Sequence, residues 1–163
     1  MKNEENLKIK DEELKEILKL DKLKKTDLIR IARTNVTYSN ENGNVKHNEE
    51  LAYLGDSILK FILADEYYRK GKIKEIFDTN GSFNLIINEH LKNIVEKRLN
   101  ILNYLLISDN GKKQKVDKNE EHIGDFLEAL IAVVYLDSGR SIKKTREFLI
   151  NNLDILNFKF DPI

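Results

Sequence analysis

Apolar residues recur at helical spacing along most of the chain. Leu14, Ile17 and Leu18 mark one face of a helix over 12–20, and Thr26 is placed to cap a second helix that runs to Arg33. Four asparagines and Gly43 between 34 and 46 predict a loop. The next helix, over 47–70, repeats Leu51, Leu54, Ile58, Phe61 and Tyr68 and stops at Gly71. A second stripe, Ala52, Leu59 and Leu63, lies on another side of it, so its neighbours should largely enclose it. A turn is predicted over 78–82, a helix over 85–99 and a short apolar helix over 101–107. The polar stretch 108–121 predicts a long loop. From 123 to 136 the chain is apolar on nearly every side except at Asp125 and Glu128. Ser138-Gly139 ends that helix, and an amphipathic pattern over 142–156 supplies the last. No alternating strand pattern, fixed-period repeat or low-complexity tract interrupts the series. The expectation is one all-α domain of about seven helices over 1–163.

Composition narrows the chemistry. A length of 163 residues is that of one domain. With 28 basic and 28 acidic residues the formal charge is zero, so any contact with a polyanion must come from a local patch. The chain has no cysteine, which excludes disulfides and thiolate metal sites. The first ten residues lack the apolar core of an export signal, and no apolar run is long enough to span a membrane. A cytoplasmic protein without membrane contact is expected. There is no P-loop, dinucleotide glycine pattern or Ser/His/Asp order, so no nucleotide cofactor is expected.

Three carboxylates stand where an ionised group is costly. Asp56 lies between Ala52 and Leu59, with Lys60 as the one basic residue within a turn. Asp125 and Glu128 share one face of a helix that holds no Lys or Arg from 123 to 138. A divalent cation held by Asp56, Asp125 and Glu128 would resolve this, and hard oxygen ligands suit Mg²⁺, with Mn²⁺ as a substitute. Glu49, two turns before Asp56, is placed to join the rim. The competing explanation is a salt bridge from Arg33 or Arg98 on another helix, although one arginine does not readily serve three acids. Gly55 and Gly124 each precede an acid within a helix, which points to close helix packing. Lys112, Lys113, Lys115 and Lys118 cluster just before the second acidic helix, where they can hold the phosphates of a nucleic acid while the metal performs the chemistry. No aromatic residue interleaves with them, which argues against single-strand recognition. His47, His90 and His122 are scattered and receive no role.

At these residues the sequence resembles a ribonuclease III catalytic domain. His47-Asn48-Glu49-Glu50-Leu51-Ala52-Tyr53-Leu54-Gly55-Asp56-Ser57 is similar to the signature N-E-x-L-E-[FY]-L-G-D-[AS]. Gly124-Asp125-Phe126-Leu127-Glu128-Ala129-Leu130-Ile131, with Tyr135-Leu136-Asp137-Ser138-Gly139, is similar to D-x-x-E-A-L-I-[GA] followed by Y-[IL]-D-x-G. The resemblance runs from about residue 14 to 157. It implies that Asp56, Asp125 and Glu128 bind metal, that Glu49 belongs to the catalytic valley, and that Tyr53 enters a partner subunit. It further implies a metal-dependent endoribonuclease that acts as a homodimer on double-stranded RNA, leaving 5′ phosphate and 3′ hydroxyl ends, with Lys112, Lys113 and Lys115 on the RNA.

The pattern departs from that family in several places. Ala52 replaces a metal-liganding Glu and Asn35 a usual His, and the family Glu after the turn has no clean match at Glu75 or Asp78. The A-Y-[IL]-G-D form resembles mini-ribonuclease III, which acts on ribosomal RNA precursors, whereas Asp125 is an acid that subgroup generally lacks. The sequence offers no length for an attached double-stranded RNA-binding domain. The alternatives are an inactive RNA-binding or ribosome-associated protein on the same fold, which Ala52 favours, and a helical interaction domain, which leaves the acids unexplained.

Overall fold

The computed structural model describes residues 2–20, 22–78 and 83–155. Among them lie nine α-helices: α1 (Lys2–Ile17), α2 (Asp27–Ala32), α3 (Val36–Glu41), α4 (Glu49–Arg69), α5 (Ile73–Phe77), α6 (Phe83–Asn93), α7 (Asp109–Lys113), α8 (Glu120–Asp137) and α9 (Ile142–Asn151). The all-α expectation is met. α8 is the axis of the molecule. It is buried on almost every side from Ile123 to Val134, packs most extensively on α4, and also touches α2, α6 and α9. Asn119 starts it by accepting from the backbone N–H groups of Glu121 and His122, which would otherwise lack partners.

The core follows the predicted stripes with one inversion. On α4, Leu51, Ala52, Ile58, Leu59 and Leu63 are buried, whereas Phe61 and Tyr68, both expected in the core, are 56% and 74% exposed. Tyr53, Phe61 and Tyr68 instead form an outward aromatic stripe about 22 Å long at 1.5 Å per residue. Periodicity detects an apolar stripe without telling which of two stripes meets the protein.

Three short helices, α3, α5 and α7, lie where loops were expected or nothing was assigned. α3 is set by Asn35, whose side-chain oxygen accepts from Thr37 N and Thr37 Oγ1 at 3.0 and 2.8 Å. The 108–121 stretch is not an open loop: Ser108 caps α7, a 3-10 turn follows at Val116–Lys118, and Gly111 and Val116 are buried. The expected helix over 101–107 reduces to a 3-10 turn, Leu102–Tyr104, because Leu106 extends to pair with the chain at Thr34, donating to Arg33 O and accepting from Asn35 N. Residues 94–98 complete α6 as a π-turn. Most of the turn predicted over 78–82 lies outside the described residues.

α1 begins ten residues before the predicted start. Its polar first half is held by buried Arg33, which donates to Asp11 Oδ1 at 2.6 Å and to the carbonyls of Leu7 and Tyr104. Leu14 and Leu18 are buried, but Ile17 is more than a third exposed. Thr26 precedes α2 without a side-chain capping bond. At the far end of α8, Asp137 Oδ1 accepts from the backbone N–H groups of Lys24 and Lys25 at 2.9 and 2.8 Å, fastening the α1–α2 connection. No helix among the described residues is long and apolar enough to cross a membrane.

Candidate active site

α4 and α8 meet so closely at Gly55 that a Cβ there would overlap the carbonyl oxygen of Glu128. This approach brings the two acid-bearing helices together. Gly124 has a different neighbourhood, since a Cβ there would meet Asn88 on α6 no closer than 3.5 Å, an ordinary contact.

The approach creates a cavity of about 290 Å³. α4 supplies Glu49, Asp56 and Lys60, and α8 supplies Glu121, Asp125 and Glu128. Ala52 and Tyr53 complete the α4 wall, so position 52 does face the site. Sequence reading missed the α6 wall, where Asn84 and Asn88 line the cavity one turn apart beside buried Ile87. Their spacing of four beside an apolar face was the available signal. Neither Glu75 nor Asp78 lines this cavity, and Glu75 pairs with Lys72 at 3.1 Å. The residue that α6 brings in near its start is the amide Asn84. Asn35, at the usual family His, is buried as the α3 cap.

The proposed salt bridges from other helices do not form. Arg33 is committed to Asp11, and Arg98 binds Leu153 O at 2.7 Å and Asp154 at 3.2 Å. The acids therefore face one another. Burial pushes Glu128 up to about 8, reinforced by the charges of Asp56 and Asp125. Asp125 is pushed up to about 6, again chiefly by burial; His122, 3.8 Å away, acts in the opposite sense. Asp56 is paired with Lys60, Nζ to Oδ2, at 2.7 Å. Among the described residues, no three acid or histidine side chains converge closely enough in this conformation to cage an ion. The donor set itself fits a hard divalent cation: several carboxylates share one concave site, and the burial of two of them disfavours their charge. Lys112, Lys113, Lys115 and Lys118 are exposed before the α8 N-terminus and do not line the cavity. Tyr53 is 80% exposed at its edge.

An all-helical domain with a carboxylate cavity between two central helices defines a class of acidic-site helical protein. Comparison with known proteins places the chain within it. The profile of the family described as ribonuclease-III-like matches residues 10–154. Ribonuclease 3 of Clostridium tetani is 32% identical over 147 residues, covering 88% of this chain and 59% of that protein. Ribonuclease 3 of Borreliella burgdorferi is 30% identical over 131 residues, covering 79% and 52%. The crystal structure of the ribonuclease III nuclease domain from Campylobacter jejuni superposes with a TM-score of 0.72 at 18% identity, covering 92% of this chain and 97% of that one, which establishes the shared fold. The chain belongs to the ribonuclease-III-like family, and it spans between half and three-fifths of the length of these curated relatives.

Proposed function

We propose that the chain is a divalent-metal-dependent endoribonuclease that cleaves double-stranded RNA as a homodimer in the cytoplasm. Processing of ribosomal RNA precursors belongs to the same reading. The observation that carries it is the meeting of Asp56, Asp125 and Glu128 from two helices in one cavity. These three would hold Mg²⁺ or Mn²⁺, with Glu49 at the rim. Such an ion supplies Lewis-acid activation of a phosphoryl oxygen and a more acidic attacking water. Burial of Glu128 keeps its carboxyl near water-excluded surroundings, and the fixed α4–α8 contact holds the acids in register. The test is cleavage of a long RNA duplex with Mg²⁺, with EDTA and Asp56→Asn as controls. Duplex-length fragments are expected only from the wild type with metal.

Exposed Lys112, Lys113 and Lys115 are assigned to RNA phosphates. Replacing all three by alanine should weaken duplex binding and reduce the slope of log affinity against log salt, each phosphate contact accounting for a slope of about 0.9 on a B-form duplex. An unchanged slope in a salt titration removes them from the interface.

The outward Tyr53, Phe61 and Tyr68 stripe on α4 supports a two-fold partner, because a duplex cut on both strands calls for two sites. Sedimentation should give about twice the 19.1 kDa chain mass. Tyr53→Asp should move it toward monomer and abolish double-strand cuts. A wild-type monomer that cuts both strands contradicts the dimer.

Ala52 supports a second reading, an inactive RNA-binding protein, since it lines the cavity without offering a ligand. Ala52→Glu distinguishes the two. If only metal affinity is reduced at this position, the variant should need less Mg²⁺ for half-maximal cleavage. Stable duplex binding without cleavage, in both proteins at any Mg²⁺ concentration, favours the inactive protein.

A further inference from the structure

We propose that Lys60 is the resident cation of the acid cavity, holding Asp56 until a divalent ion displaces it, so that this side chain sets the metal affinity of the site. The proposal rests on the metal-dependent reading above. Lys60 stands one turn after Asp56 on α4 and donates to Oδ2 at 2.7 Å. Many such pairs on helix surfaces contribute little, and here the two side chains are 36% and 29% exposed. This pair differs in its surroundings. Among the described residues, Lys60 is the one Lys or Arg lining a cavity that holds five carboxylates. Its field reaches across to α8, where it favours the ionised form of Glu128 against the push of burial and of Asp56.

Two further features of the wall agree. One turn before Asp56 the chain has Ala52 and no acid, so Asp56 is the α4 carboxylate closest to Lys60 and the one an incoming ion must share. In the Lys60-paired conformation no three acids cage an ion. Binding a metal is therefore an exchange: Asp56 gives up an ammonium and takes a doubly charged ion, whose attraction at equal distance and dielectric is twice as strong. The flexible four-carbon stem of Lys60 lets the displaced ammonium swing to the mouth of the cavity, where an arriving phosphodiester presents anionic oxygens.

The test is Mn²⁺ binding to the full chain without RNA, read from the electron paramagnetic resonance of the free ion. Wild type, Lys60→Met and Lys60→Arg are compared. Removing the competing charge should tighten binding about tenfold in Lys60→Met, while Lys60→Arg, which keeps a competitor, should bind no tighter than wild type. The metal-free melting temperature of Lys60→Met should fall and its rise on adding Mn²⁺ should exceed that of the wild type, because its acids have lost their only lysine. Equal Mn²⁺ affinity in Lys60→Met and wild type overturns the role of Lys60 alone. No binding in any of the three overturns the metal reading and this role with it. Tighter binding in Lys60→Met from a chain that cuts no RNA leaves the exchange standing and removes the nuclease.

Discussion

Glu128→Gln should abolish cleavage and, in the same protein, stabilise the metal-free fold at neutral pH. The first effect follows from losing a carboxylate of the proposed metal site; Lewis-acid stabilisation contributes several kcal/mol, so a loss of about a thousandfold in kcat is expected, about 4 kcal/mol of transition-state stabilisation. The second follows from burial. Glu128 is pushed up to about 8 in the fold, against 4.5 as its ordinary value. Between these values the folded protein holds a proton that the unfolded chain releases, so stability is greatest below about 4.5 and declines as pH rises toward about 8. Glutamine has no proton to lose. Melting curves in EDTA from pH 5 to 8 should therefore fall less steeply for Glu128→Gln than for the wild type, and the two should diverge as pH rises. Parallel curves would show that the carboxyl is not held protonated. Retained turnover would remove Glu128 from the chemistry.

Gly55→Ala should be among the most damaging single changes in the protein. Its Cβ would collide with the Glu128 carbonyl oxygen, which is backbone and cannot rotate away, and α8 is enclosed by α2, α6 and α9 and has nowhere to retreat. Overpacking costs typically 1–3 kcal/mol and sometimes more; here about 3 kcal/mol or above is expected, a fall of about 10 °C in melting temperature. Separation of the two helices should also lower cleavage in whatever fraction stays folded. Gly124→Ala is the internal comparison. Its Cβ would find ordinary contacts with Asn88 and Leu91, so the better helix propensity of alanine should raise stability by about 0.5–1 kcal/mol. Thermal melts of the two variants should move in opposite directions, and equal destabilisation would contradict the packing described.

These two glycines illustrate what the sequence makes legible. Both precede an acid in a helix, and sequence alone treats them alike; only the third dimension places one against a carbonyl and the other beside an amide. The acid cluster itself was legible because a helix with two carboxylates and no basic residue from 123 to 138 states its problem locally. The α6 wall was not, because Asn84 and Asn88 are neutral, and their importance arises only from what α4 and α8 place opposite them. Helices α3, α5 and α7 escaped for another reason. Each has five or six residues, too few for a period to show, and helices this short depend on caps and tertiary contacts for their existence. Phe61 and Tyr68 were assigned to the core on the assumption that every apolar stripe is covered by its own chain, and a face suited to a partner violates that assumption.

The carboxylate of Asp137 gives the α1–α2 connection an unexpected kinetic property. The amide hydrogens of Lys24 and Lys25 lie in an exposed, irregular stretch, where exchange with solvent deuterium is ordinarily rapid, yet both are bound to an acceptor at the end of the most buried helix. They exchange only when that contact opens. Two amides in an exposed connection thereby become reporters of the docking of the N-terminal helices on α8, and their protection measures whether those helices and α8 open as one cooperative unit or as two.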